Sequence, residues 1–423
     1  MGGSIESSSA ENESVLKKLG PGLITGAADD DPSGIATYCQ AGAQFGFHML
    51  WSVLITYPLM VAIQIISARI GRVTGQGLAA NISKFYPPWI LYLLISLFLI
   101  ANTINIAADV AAMGDSMVLI VGGSAKLYAL LFGLFSLLLQ VFIPYRKYVY
   151  FLKWLTLSLL AYFGTAFVLK VPWGVVLHDS FLPKISWHKD YVTTTVAVFG
   201  TTISPYLFFW QASQEVEEEN EEQDSRSLKE APQKADFVLR RIRLDNYIGM
   251  GFSNLVAFFV ILSASLTLHQ SGLLTVQTSA EAAKALKPIA GEFAFLLFSL
   301  GIIGTGLLAI PVLAGSAAYA VAESFHWKSS LELKPYLAKK FYSIIAVATL
   351  VGVGLGFTSI NPIQALYWSA VINGVISVPI MVIMMLMAAR SDIMGEIVIH
   401  RTLKILGWGA ILLMLTAVVG MFL

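Results

Sequence analysis

Charge is scarce in this 423-residue chain: Asp, Glu, Lys and Arg together make up 13%. An ordinary soluble protein carries about 25%. Over this length the shortage excludes a conventional water-soluble enzyme. Twenty-seven basic and 26 acidic side chains leave a net charge of +1, so no basic excess marks a nucleic-acid surface. The single cysteine, Cys39, excludes a disulfide framework and a thiolate metal cluster. The N-terminal stretch GGSIESSSAENESVLKK lacks the basic-then-apolar order of a cleavable signal peptide, and none is expected. A nucleotide-binding loop and a credible nucleophile–base set are missing too. The chain does not read as an enzyme, and no cofactor is expected.

Apolar sequence is plentiful, at 57%. A spanning helix needs roughly 20 mainly apolar residues to cross about 30 Å of hydrocarbon. Eleven stretches qualify, near residues 20–45, 47–68, 88–118, 126–144, 149–169, 191–213, 246–269, 290–322, 341–357, 362–389 and 403–423. The chain therefore reads as an all-α polytopic membrane protein in a lipid bilayer, and the alternating short strands of a β-barrel are missing. With the N-terminus cytoplasmic, 21 of the 27 Lys and Arg fall on the inner side, as the positive-inside rule asks. This predicts a cell (inner) membrane location with the C-terminus extracytoplasmic.

The expected parts are an inner tail (1–18), five spans (19–170), an outer loop (171–190), five more spans (191–389), and an inner loop with an eleventh span (390–423). The second set of spans is interrupted by the charged inner stretch 215–243, which reads as a solvated loop with a helical extension rather than a metal sensor. Nothing calls for an obligate protein partner.

An ionisable residue inside a span is costly and is a functional candidate by default. Asp29, Asp30 and Asp31 lie within the first span and are followed by Pro32, Ser33 and Gly34. Successive helical residues point about 100° apart, so an intact helix cannot aim all three acids at one site. Pro32 removes a backbone N–H and Gly34 unwinds readily, which predicts a broken helix whose freed carbonyls line a cavity. Asp31, beside the break, is the best ligand, while Asp29 and Asp30 are expected to face a watery vestibule. Asp109 lies inside the third span, with Asp115 near its outer end.

The sixth span carries a second interruption, Thr201-Thr202-Ile203-Ser204-Pro205-Tyr206. The first and sixth spans each open a set of five, and matching broken helices in two halves point to an inverted-repeat transporter with its substrate at the midplane. Five is odd, so the second half enters from the opposite side.

The charge nearest both breaks is negative, which favours a cation. The remaining donors are oxygens: backbone carbonyls, Ser33, Thr201, Thr202 and Ser204. Oxygen-only sites suit Mg²⁺, Ca²⁺ or Mn²⁺. The six histidines lie away from the breaks, and no pair has zinc-site spacing. Met381, Met384, Met385 and Met387 read as packing or lipid-facing residues.

The segment GPGLITGAADDDPSGIATYCQAGAQFGFHMLW, then ISARIG, AADVA, the proline of the sixth span, NPIQAL and SDIMGEI together resemble the Nramp divalent-metal transporters over most of the chain. The resemblance implies a LeuT-like fold of two inverted five-helix repeats plus an eleventh helix, and alternating-access cation transport. The family's Asp-Pro-Gly-Asn motif here reads Asp31-Pro32-Ser33-Gly34: the aspartate ligand carries over and the asparagine ligand does not. In the sixth span the family's alanine carbonyl, methionine and Pro-His give way to Thr201, Ser204, Pro205 and Tyr206. The family aspartate of the third span matches Asp109, but its acidic companions fall on Asn102 and Ala112.

These departures resemble the divergent prokaryotic Nramp-related magnesium transporters. They imply Mg²⁺ (and Mn²⁺) as a partly hydrated substrate held by Asp31, the carbonyl region of Thr201 and water on Ser204, with extra room at Gly34. Asp30, Ser33, Asp109, Tyr206 and Asn373 would line the vestibule or back the ligands, Asn373 by a helix–helix hydrogen bond. Two rival readings stand beside this one. The first is proton-coupled Mn²⁺/Fe²⁺ uptake. The second is a non-transporting receptor or scaffold, disfavoured because the tail and outer loops leave no room for a signalling domain.

Overall fold

The computed structural model describes residues 21–144, 156–221, 226–358 and 361–423. The expected inner tail (1–18), the first part of the fifth expected span (149–155) and four residues of the charged stretch (222–225) lie outside the described residues. All regular structure among the described residues is helical.

The first expected span is two helices, α1 (Pro21–Asp29) and α2 (Pro32–Phe45). Next come α3 (Leu50–Thr74), the short α4 (Leu78–Phe85), α5 (Pro88–Val121), α6 (Ala125–Phe142), α7 (Ala161–Val168) and α8 (Trp173–Phe181). The sixth span is also two helices, α9 (Lys189–Thr202) and α10 (Pro205–Glu221). Then follow α11 (Ala235–Ala264), α12 (Ala294–Ser324), α13 (Lys339–Leu355), α14 (Pro362–Ala388) and α15 (Arg401–Phe422).

Eight helices among the described residues are long and apolar enough to cross a membrane, or nine if the pair Ser158–Val168 and Trp173–Phe181, bent by 118°, counts as one span. That tally runs α2 and α3 together as Pro32–Thr74 and omits α13, which has 17 residues. The molecule is a multi-pass membrane protein. Proline sets several helix starts: Pro32, Pro88, Pro205 and Pro362 all stand at a first helical position, where a missing N–H costs nothing.

Packing follows the repeat. α11 lies along α1 and α2, and α3 lies along α10 and α9. These two sets exchange when the first five spans are swapped for the second five. α5 packs on α12, the pair that such a swap maps onto itself. Close crossings rest on glycine, as membrane helix contacts often do. A Cβ at Gly26 would lie 2.3 Å from the Gly249 backbone, and one at Gly200 would lie 2.1 Å from the Ala370 carbonyl. Met381, Met384, Met385 and Met387 are fully buried, so of the two expected roles they take packing.

One end of the bundle is held by charge. Arg241 Nη2 donates to Glu215 Oε2 at 2.8 Å, and Gln211 Nε2 donates to Glu215 Oε1 at 3.1 Å. Glu217 accepts from Tyr319 and from the Leu331 N–H. Glu323 accepts from Ser213 Oγ at 2.7 Å and from the first N–H groups of α4. The stretch 215–243 is therefore not simply solvated: Glu215 and Glu219 are buried, because α10 continues to Glu221 and carries them under α11 and α3.

Candidate metal centre

The two breaks meet in the interior. Pro32 cannot donate to Ala28, so α1 ends at Asp29 and a new helix starts at Pro32. Asp31 is the N-cap of α2, in extended backbone, with its carboxylate turned over the first turn. Its Oδ1 accepts from the Gly34 N–H at 2.7 Å and from Ser33 Oγ at 2.8 Å. Its Oδ2 accepts from Asn105 Nδ2 of α5 at 3.0 Å. Asp31 is 1% exposed.

Tyr206, in the first turn of α10, ties the second break to the first. Its hydroxyl donates to the Ala28 carbonyl at 3.1 Å and lies 3.5 Å from Asp31 Oδ2. Thr201 faces the same place: a Cβ at Gly34 would lie 3.1 Å from Thr201 Oγ1 and 3.4 Å from Tyr38 Cε2. The room expected at Gly34 is therefore occupied by a hydroxyl and an aromatic edge. Ser204 Oγ, in the break, donates to the last turn of α9, with Gly200 O at 2.7 Å and Thr201 O at 2.9 Å. It caps the end of α9 and engages the same carbonyl region that was expected to face an ion.

The remaining expected residues separate. Asp29 and Asp30 do not face a vestibule: they are 0% and 2% exposed. Both turn to α11, where Ser253 Oγ lies 2.5 Å from Asp29 Oδ2 and 3.1 Å from Asp30 Oδ1. Asp109 is buried one helical turn beyond Asn105, and neither of its oxygens has a hydrogen-bond partner among the described residues. Asn373 stands beside Gly374, level with the end of α9. Its amide has no partner among the described residues either, so the expected helix–helix hydrogen bond is not formed.

Asn105 is a site residue that the sequence alone does not single out. It is fully buried and accepts from Ser369 Oγ of α14 at 2.7 Å through its Oδ1. A signal for it exists: Asn102, Asn105 and Asp109 recur at the spacing of one helix face. Among the described residues, no group of three or more His, Cys, Asp or Glu is arranged to hold a metal ion. The groups gathered at Asp31 are hydroxyls and amides.

Two broken spans crossing beside a buried carboxylate define a class, the secondary transporters built on inverted repeats. The Nramp family model, described as Natural resistance-associated macrophage protein-like, matches residues 22–423, and the chain belongs to that family. Its relatives include the divalent metal cation transporter MntH of Mycobacterium leprae, 26% identical and covering 99% of this chain and 94% of that one. The MntH of Caldanaerobacter subterraneus is 24% identical over 86% of this chain and 82% of its own. Among solved structures, the Eremococcus coleocola manganese transporter superposes with a TM-score of 0.72 at 18% identity, covering 97% and 87% of the two chains. Mhp1, a nucleobase-cation-symport-1 family transporter, gives 0.51 at 12% identity over 94% and 91%. The fold is LeuT-like, two inverted five-helix repeats with an eleventh helix.

Proposed function

We propose that this protein imports divalent metal cations, taking Mg²⁺ and Mn²⁺ as partly hydrated ions by alternating access and without obligatory proton coupling. The observation that carries this reading is the set of groups around Asp31. The carboxylate is ringed by hydrogen-bond donors: the Gly34 N–H, Ser33, Asn105 and, at longer range, Tyr206. A metal-bound water is also a donor, so it replaces one of these without changing what the carboxylate accepts. Mg²⁺ sheds its waters reluctantly and usually retains several. No thioether or imidazole stands among these groups to favour a softer ion.

The activities for which the MntH relatives are named support divalent cations as the substrate class. The ion is cargo, and no cofactor takes part. The distribution of basic residues supports a cytoplasmic N-terminus, in a cell (inner) membrane. A potential of 100 mV contributes about 2.3 kcal/mol per charge, so about 4.6 kcal/mol for a divalent ion, and inward transport needs no coupling ion.

The test is Mg²⁺ influx into proteoliposomes, followed by a lumenal Mg²⁺ dye with a pH dye in parallel. Saturable influx with no proton movement is expected. The likeness to the Eremococcus manganese transporter favours manganese as the cargo in a second reading, proton-coupled Mn²⁺ transport. Mn²⁺ influx that acidifies the lumen, with no Mg²⁺ influx, would establish that reading instead.

A further inference from the structure

The side chain of Asn105 sits between a carboxylate and a hydroxyl, and the two differ in one respect. Asp31 Oδ2 can only accept, whereas Ser369 Oγ can both donate and accept. As the structure stands, Asn105 Nδ2 donates to Asp31 at 3.0 Å and its Oδ1 accepts from Ser369 at 2.7 Å. Ser369 Oγ also lies 2.7 Å from the Leu366 carbonyl of its own helix. It therefore has a second acceptor for its proton.

We propose that Asn105 is an ion-facing ligand residue that reverses its amide when a divalent cation arrives at Asp31. Resting on the cation reading above, the step follows from charge. The amide N–H end is repelled by a cation that its carbonyl end would attract. Rotating the amide by half a turn presents Oδ1 to the ion or to one of its waters. Nδ2 then donates to Ser369 Oγ, which redirects its own proton to Leu366 O. Both polar atoms of the amide and the Ser369 hydroxyl have a partner in both orientations, so the reversal leaves none of these buried atoms alone, the usual penalty for such a movement.

An asparagine from α5 thus restores the amide oxygen that Gly34 does not supply. Because Ser369 belongs to α14, occupancy at the break of the first span is read by a helix of the second half of the chain.

The test uses the full-length protein in proteoliposomes, scored with Mg²⁺, or with Mn²⁺ if wild type carries only that ion. A wild type that carries Mn²⁺ alone overturns the magnesium reading and leaves this inference to be decided by the variants. A wild type that carries neither overturns both. Asn105→Leu keeps the volume without the amide. It is expected to raise KM about tenfold, the scale of one lost polar contact to an ion, with Vmax changed little. Ser369→Val is expected to raise KM about fivefold, and Ser369→Thr, which retains the hydroxyl, to stay within about twofold of wild type.

A folded Asn105→Leu with unchanged KM overturns the proposal. Where Asn105→Leu fails to fold, the Ser369 pair decides. Equal KM in the valine and threonine variants overturns it, and a valine-specific rise supports it.

Discussion

The two breaks are built from different materials. In the first span the gap is closed by a side chain: Asp31 caps α2, and its carboxylate gathers donors from three helices. In the sixth span the gap is closed by an uncharged side chain, Ser204, which folds its hydroxyl onto the backbone carbonyls of Gly200 and Thr201. Two repeats with one architecture therefore supply unequal chemistry. One break brings charge, and the other brings a shape and a row of capped carbonyls. On the proposed reading, the negative charge at the first break is what attracts the cation, and the second break adds no charge of its own.

The sharpest way to break this comparison is to remove the charge. Asp31→Ala is expected to lower divalent transport in proteoliposomes by about a hundredfold or more, beyond the cost of losing a supporting contact. The variant should still elute as a folded species. Undiminished flux would place the ion elsewhere.

Gly34→Asn restores the family's side chain where Thr201 and Tyr38 now fill the space. It is expected to cost about 1–3 kcal/mol of stability through overpacking, seen as an earlier thermal transition, with Mg²⁺ uptake falling in parallel. A stable, fully active variant would show that the space opens during transport.

Ser204→Ala frees the Gly200 and Thr201 carbonyls for direct contact with an ion. The KM for Mn²⁺ relative to that for Mg²⁺ should fall about threefold, within the range of one neutral hydrogen bond. Equal change for both ions would mean that the hydroxyl serves the helix end alone.

The smallest effect belongs to the bridge between the breaks. Tyr206→Phe loses its donation to Ala28 O, and transport is expected to fall by about two- to threefold without a change in ion preference. A change in preference would move Tyr206 from bridge to ligand.

The breaks themselves are legible in the sequence, because an acid or a hydroxyl beside proline in an apolar run is costly unless it lines a site. Asp31 stands out for that reason, and Tyr206 because it follows the second proline. Asn105 does not, because asparagines in a long apolar helix read as ordinary helix–helix glue; its place on one face with Asn102 and Asp109 is a hint, and only coordinates show which helices it meets.

Ser253 carries no signal at all. Nothing in Gly251-Phe252-Ser253-Asn254 says that its hydroxyl serves two carboxylates more than 220 positions away. The space at Gly34 is smaller than its sequence suggests because the residue that fills it, Thr201, comes from the other repeat. Local sequence shows where a helix stops. What enters the gap depends on long-range packing.

The glycine crossings have a mechanical side. α11 runs unbroken past both halves of the first span. It touches α1 where Gly26 meets Gly249, receives Asp29 and Asp30 at Ser253, and touches α2 where Gly42 meets the Ile261 carbonyl. A fractured rod bound at three points to an intact one does not swing freely at the fracture; it is splinted. Any tilt of α1 relative to α2 has to peel α1 away from the splint, beginning at the two carboxylates next to Asp31. Moving the first span at its break therefore means breaking these contacts or carrying α11 with it.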